Sequence, residues 1–238
     1  MVVTIDGPAG VGKSTVARAL AKRLGFAYLD TGAIYRAVAL AALEQGVEPG
    51  SMSEDELGEW VGRIRLSLAL EGARLVVLLD GEDVEGRIRS EQVGEMASKL
   101  SAVAQVRARL LGLQKGAADL GDLVAEGRDM GTVVFPEAEA KFFLTASEEE
   151  RVARRWRELQ ARGQEITFEQ VREQLVRRDR RDSTRAASPL VPARDAVVVD
   201  TTHIGVEEVV NRLEQLVRRR MGGGETSSCK GDGVLLER

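Results

Sequence analysis

Among its 238 residues the chain has one cysteine, one histidine and one asparagine, and each scarcity removes a class of function. Cys229 stands alone in a Gly/Ser-rich stretch, so neither a disulfide framework nor a cysteine-based zinc site can be assembled within one chain, and reducing conditions fit. His203, the sole histidine, reads as a surface-loop residue rather than a catalytic base. GTPases read guanine with an N-K-x-D segment, and Asn211 is followed by arginine, which argues against a GTPase. No window approaches the ~18 consecutive apolar residues that a membrane-crossing helix needs. The N-terminus runs from Met1 straight into Val2-Val3-Thr4-Ile5 without a basic leader. A cytoplasmic protein with no membrane partner is expected. A formal net charge of −4 argues against a general nucleic-acid binder.

With 43% hydrophobic and 30% charged residues, the chain is long enough for one sizeable core and a smaller satellite. Short β-branched runs alternate with helical patterns, the layout of an α/β fold with a parallel sheet covered by helices on both faces. Strands are expected at Val2–Ile5, Ala27–Leu29, Leu123–Ala125, Lys141–Thr145 and Ala196–Val199. Ser14–Leu24 carries Val16, Leu20 and Leu24 at i+4 spacing and stops at Gly25, a natural cap. Val103–Ala117 and Val206–Val217 each place their aliphatic residues on one stripe. Residues 60–97 break the alternation. After a helix opened by the capping box Ser53-x-x-Glu56, two apolar runs around Glu71-Gly72-Ala73 read as an antiparallel hairpin. Ser147-x-x-Glu150 and Thr167-x-x-Gln170 open two further helices around Gly163. The expected division is a core of 1–59, 98–146 and 186–220, an inserted small β domain at 60–97, a lid at 147–185, and a disordered tail at 221–238.

Gly7-Pro8-Ala9-Gly10-Val11-Gly12-Lys13-Ser14 matches G-x-x-x-x-G-K-[ST] directly after an apolar strand and before an amphipathic helix, the context that gives the pattern meaning. Glycines let backbone N–H groups converge on phosphate oxygens, and the helix start adds its positive end. Lys13 is expected to reach the β- and γ-phosphates of a nucleoside triphosphate, and Ser14 to offer its hydroxyl to Mg²⁺. Leu123-Val124-Ala125-Glu126 loosely approximates the strand that ends in a catalytic carboxylate in motor ATPases. Glu126 is a candidate for ordering Mg²⁺-bound water, or equally a strand-end carboxylate bonded to backbone.

The arm from Arg151 to Arg185 holds eleven arginines, no lysine and six acidic residues. Guanidinium forks hold phosphate oxygens bidentately and stay charged, so the arm suits a lid over a transferring phosphoryl group. Arg151, Arg154, Arg155 and Arg157 could instead be a solvated helix face. The cluster Arg178-Asp179-Arg180-Arg181-Asp182 with Arg185 reads more firmly as oriented, paired arginines.

Together with the phosphate loop, four stretches carry a resemblance: Ile5-Asp6-Gly7-Pro8, Leu29-Asp30-Thr31-Gly32-Ala33-Ile34-Tyr35-Arg36, Gly127-Arg128-Asp129-Met130-Gly131-Thr132-Val133-Val134-Phe135-Pro136, and Ala186-Ala187-Ser188-Pro189-Leu190. Over residues 1–220 the chain resembles the bacterial cytidylate kinases. The resemblance implies transfer from ATP to CMP or dCMP with Mg²⁺ in a monomer. It also implies that Gly7 through Thr15, with Arg154 and Arg155, hold ATP, that Thr31, Arg36, Arg128 and Arg178 surround the acceptor phosphate, and that Ser98, Arg107 and Asp129 read cytosine. Asp182 and Arg185 look like sugar contacts, and Gly127 falls with the acceptor residues. Tyr35 either packs against the acceptor or is simply buried at a helix start. Lys13, Arg128, Arg178 and Arg154 are the residues expected to carry the transfer. Two other readings stay open: a P-loop kinase for UMP or a non-nucleotide acceptor, and a regulatory protein whose arginine arm binds a phosphate backbone.

Overall fold

Five short strands, β1 (Val2–Asp6), β2 (Ala27–Asp30), β6 (Leu123–Gly127), β7 (Ala140–Thr145) and β8 (Val197–Asp200), the first four largely buried, form the parallel centre of the sheet in the order β2-β6-β1-β7-β8. All five fall where the sequence places them, and β1, β2, β6 and β8 extend one or two residues further at their C-terminal ends. The structure, a computed structural model, describes residues 1–222. The sheet is covered on both faces, as a parallel sheet requires. Alternate residues enter two cores: Val3, Ile5, Tyr28, Val124 and Phe142 pack with α1 (Lys13–Leu24) and α8 (Val206–Gly222). Leu29, Leu123 and Ala125 pack on the other face with α2 (Thr31–Glu44), α3 (Glu54–Arg63) and α5 (Ala104–Gly116).

The hairpin forms as β3 (Leu66–Glu71) and β4 (Arg74–Leu79), with Leu68 opposite Val77, and β5 (Glu82–Asp83) folds back on β4 through Asp80 and Gly81, both at positive φ. It does not stand as a separate sheet. Tyr28 N–H donates to the Ala73 carbonyl at 2.9 Å, Tyr28 pairs with Arg74, and β4 extends the central sheet to eight strands. Leu75, Val77 and Leu79 share one core with α2, so the insertion is welded to the scaffold by apolar burial. Ten of the fourteen α2 residues are buried, which leaves no polar face and therefore no amphipathic stripe to read in the sequence. α4 (Glu91–Leu100), capped by Ser90, packs on α2.

The arginine-rich arm is two helices, α6 (Glu148–Ala161) and α7 (Phe168–Thr184), joined through Gly163 at φ +73°. Thr167 and Gln170 make the full capping box; Ser147 caps α6 by accepting from Glu150 N–H, while the Glu150 carboxylate turns to Arg154. The arm's own core is small: Val152, Leu159, Val171 and Leu175 are buried against Ala9, with Trp156 edge-on to Phe168. Helix α8 runs through Met221 and Gly222, the first two residues of the expected tail, and the remainder, 223–238, lies outside the described residues. Among the described residues no helix is long and apolar enough to cross a membrane.

Candidate active site

Strands β1, β2 and β6 end side by side, and the segments leaving them open onto one cleft of about 1680 Å³. Position at the carboxyl ends of parallel strands is where open α/β sheets bind ligands. Of the residues given a role toward ATP, the acceptor or the transfer, all line this cleft except Gly7 and Pro8, which begin the loop.

The loop from Gly7 to Gly12 is held by backbone. A Cβ on Gly7 would meet the Leu144 carbonyl oxygen at 2.3 Å, and one on Gly10 would meet the Arg151 carbonyl at 2.9 Å, with φ values of +146° and +81°. Neither position admits another side chain without moving main chain. Gly12 precedes α1 in a left-handed conformation with no side-chain cap, so the first N–H groups of α1 face the cleft without a side-chain acceptor, an anion site by construction. Lys13 is buried and donates to the Pro8 carbonyl at 2.6 Å. Burial, then the Arg128 charge, hold its pKa well below the usual lysine value. An ammonium in such surroundings gains from an incoming anion.

At the end of β6, Glu126 is buried, accepts from the Tyr28 hydroxyl at 2.5 Å and lies beside the Ser14 hydroxyl. Burial, reinforced by Asp30, raises its pKa. The backbone contact is separate: the Glu126 carbonyl, not its carboxylate, receives the Thr31 hydroxyl at 2.7 Å.

Side chains build the opposite end of the cleft. Arg128 Nε donates to Asp182 at 2.9 Å, and Arg178 Nε lies 4.0 Å from the same carboxylate with no hydrogen-bond partner among the described residues. Burial and the neighbouring Arg128 push the Arg178 pKa down to about 10. For Asp182 burial acts to raise the pKa, but Arg128 and Arg178 overcome it and the net shift is downward. Arg36 is held 3.4 Å from Asp30, which also caps α2 and faces Arg89 at 3.5 Å. Deeper in, Asp129 is ion-paired to Arg107, and Arg185 Nη2 lies 3.7 Å from its other oxygen. Arg107 also covers the Tyr35 ring, 5.5 Å from the centroid. Tyr35 is buried in the first turns of α2 and lines the cleft. The Ser98 hydroxyl is buried in the wall of the same cleft, with no hydrogen-bond partner among the described residues.

The arm brings its arginines to different places. Arg151 is buried, paired with Asp179, and donates to the Ala9 carbonyl at 3.3 Å, so it fastens the arm to the phosphate loop. Arg154 lies at the loop end, bonded to the Thr201 hydroxyl and carbonyl at 3.0 and 2.5 Å and to Glu150. Arg155, expected beside it, reaches across to Glu91 of α4 at 2.8 Å. Arg157 is exposed. His203 is an exposed loop residue at the cleft's edge after β8.

Several residues that shape the site carry no individual signal in the sequence. Asp6 is buried and accepts from the N–H groups of Met130 and Gly131 at 2.9 and 2.8 Å; burial lifts its pKa to about 6 against those two bonds. Thr201 links the phosphate loop, β7 and Arg154. Arg89, Glu91 and Glu95 come from the insertion and α4, where only the fold brings them to the cleft.

A triphosphate-binding loop facing a bed of fixed cations, with a small-molecule pocket behind them, defines a P-loop small-molecule kinase. The family model described as cytidylate kinase matches residues 3–219, and the chain belongs to that family. It is similar to the cytidylate kinase of Haemophilus ducreyi, 47% identical over 211 residues that cover 89% of this chain and 93% of that protein. It is also similar to that of Vibrio cholerae, 47% identical over 220 residues, 92% of this chain and 97% of that protein. For that of Carboxydothermus hydrogenoformans the identity is 49% over 226 residues, 92% and 98% of the two chains.

Proposed function

We infer that the chain transfers the γ-phosphoryl group of ATP to CMP and dCMP, yielding ADP with CDP or dCDP. An oxygen of the acceptor phosphate attacks the γ-phosphorus in line, and the bond to the oxygen bridging the β- and γ-phosphorus breaks. No proton needs to be removed from the acceptor, so catalysis is positioning and charge stabilisation. The loop amides and Lys13 hold the β- and γ-phosphates. Arg128, Arg178, Arg36 and Thr31 hold the acceptor phosphate opposite, with Gly127 behind them, and Arg154 steadies the donor end. Arg155 closes the mouth of the cleft. Asp182 and Arg185 meet the sugar.

The observation that carries the acceptor assignment is the buried pair of Asp129 and Arg107, lining one cleft with a Ser98 hydroxyl that has no partner among the described residues. Cytosine presents an amine donor beside a ring-nitrogen acceptor and a carbonyl, and a carboxylate, a guanidinium and a hydroxyl complement that set. Uracil would set a carbonyl against Asp129, and each buried polar group left unpaired costs about 1–3 kcal/mol. The donor set at the head of the loop also fits a divalent cation: Ser14 would hold Mg²⁺, with Glu126 ordering its water. Such an ion would neutralise charge across the β- and γ-phosphate oxygens. The chain works as a monomer in the cytoplasm.

ADP release from ATP and Mg²⁺, with CMP, dCMP, UMP, AMP and GMP offered separately, tests the reaction. Turnover confined to CMP and dCMP is expected, and acceptor-independent or absent turnover would refute it. Asp129→Ala tests the base reading: it is expected to collapse the CMP-over-UMP preference, and an unchanged ratio would remove Asp129 from that role.

A further inference from the structure

Asp129 immediately precedes the π-type turn Met130–Val134. An aspartate in that position ordinarily folds its carboxylate back onto the unpaired N–H groups of the first turn. Here it makes no capping bond, and its two oxygens face Arg107 and Arg185. The turn is nevertheless regular: Val133 and Val134 N–H groups both donate to the Asp129 carbonyl, at 2.9 and 3.2 Å, and Phe135 N–H donates to Met130.

Met130 and Gly131 are among the amides that lack an acceptor within the turn. Asp6 supplies one carboxylate oxygen to each, at 2.9 and 2.8 Å, and no basic side chain hydrogen-bonds to it among the described residues. Its aim is fixed by the scaffold, since Asp6 ends β1 in register with Gly127 of β6. At the far end Lys141 donates to the Pro136 carbonyl, so the segment is pinned on both sides.

We infer that Asp6 is a positioning residue that caps this turn in place of Asp129, which keeps the Asp129 carboxylate turned toward the base of the acceptor nucleotide. The inference rests on the acceptor reading given above. Without Asp6, the Asp129 carboxylate, which stands at the residue preceding the turn, is the ordinary capping group for those amides. Capping and base reading would then compete for one group.

A double-mutant cycle on the full chain tests this, with Asp6→Ala, Asp129→Ala and the pair, reading KM for CMP, KM for ATP and the kcat/KM ratio of CMP over UMP. Asp6→Ala is expected to raise KM for CMP about 10-fold and lower the ratio about 10-fold, with KM for ATP within about twofold. The double variant is expected to stay within about twofold of Asp129→Ala alone, because both substitutions act through one carboxylate. A fall in kcat with KM for CMP and the ratio unmoved would overturn the role of Asp6, as would losses that multiply in the pair. If Asp129→Ala leaves the ratio unmoved, the acceptor reading fails first and takes this inference with it. Should Asp6→Ala prove insoluble, Asp6→Asn keeps the shape and one acceptor oxygen. A smaller fall in the ratio is then expected, and no fall would overturn the inference.

Discussion

The two ends of the cleft are made of different material. At the donor end a continuous stretch of main chain does the holding, with glycines at Gly7 and Gly10 packed against the backbone of Leu144 and Arg151 and one buried lysine at the helix start. At the proposed acceptor end the holding falls to side chains from four separate stretches of the sequence, and each of these arginines faces a carboxylate: Arg36 at Asp30, Arg128 and Arg178 at Asp182, Arg107 and Arg185 at Asp129. Amides carry no net charge and can wait for a ligand in water. Partly buried guanidinium groups cannot wait unpaired at low cost, so the acceptor end is pre-organised by the acids that hold it open. The donor end is set by backbone shape and the acceptor end by charge balance.

The sharpest break of this division is at Lys13, the buried donor-end cation whose hydrogen bond goes to the Pro8 carbonyl rather than to a carboxylate. Lys13→Ala is expected to lower kcat about 10³-fold, the upper range for losing a preorganised donor at a developing charge. KM for CMP should stay within a fewfold. The melting temperature should not fall, because burial and the nearby Arg128 disfavour the ammonium in the folded chain. Steady-state kinetics and a thermal melt check all three. A KM for CMP that rises as far as kcat falls would mean that the two ends are one unit.

The same difference decides what could be read in the sequence. The phosphate loop is local, and its spacing, its strand and its helix all lie within Val2–Leu24, so the donor end was legible from the residues themselves. The five parallel strands were legible for a similar reason, being short apolar runs with marked ends. The acceptor end was named through resemblance, because nothing in the spacing of Ser98, Arg107, Asp129 and Arg185 says that they meet. Helix α2 hid for want of a polar face, and the pairing of β4 with β2 hid because it rests on a single bridge at Tyr28 and Arg74. Asp6 is part of a recognisable stretch, yet its bond partners lie more than a hundred residues away.

Asp182→Asn probes the acceptor end with an intermediate effect. It removes the charge facing Arg128 and Arg178, and breaking a buried pair from one side costs about 3 kcal/mol. KM for CMP is expected to rise about 10-fold with KM for ATP unmoved, on the same logic that one lost charged contact is worth about 1.5–3 kcal/mol. The Asp182 pKa is lowered on folding, so its stabilisation is fully present above the unfolded value near 3.8 and is lost as pH falls through the lower folded value. Thermal melts between pH 2 and pH 7 should therefore fall more steeply for the parent than for Asp182→Asn, with the two curves converging at the acid end. Parallel curves would show that the pair adds nothing on folding.

The smallest expected effect lies where the arm crosses the cleft. Arg181 holds both oxygens of Glu95 at 2.7 Å, and Arg155 holds Glu91 at 2.8 Å, so α7 and α6 are each tied to α4 by one ion pair. Both pairs are partly exposed, and exposed pairs contribute about 0.2–1 kcal/mol. Since the arm has only a small core of its own, these ties bear on where the arm rests rather than on whether it folds. Glu95→Gln is expected to shift the melting temperature by no more than about 1–3 °C and KM for CMP by less than about twofold, with both differences shrinking at high salt. A change in KM as large as that of Asp182→Asn, undiminished by salt, would place Glu95 among the acids that organise the acceptor end. The charge-balanced region would then extend past the pocket to the arm, and the acceptor end would be the larger of the two constructions.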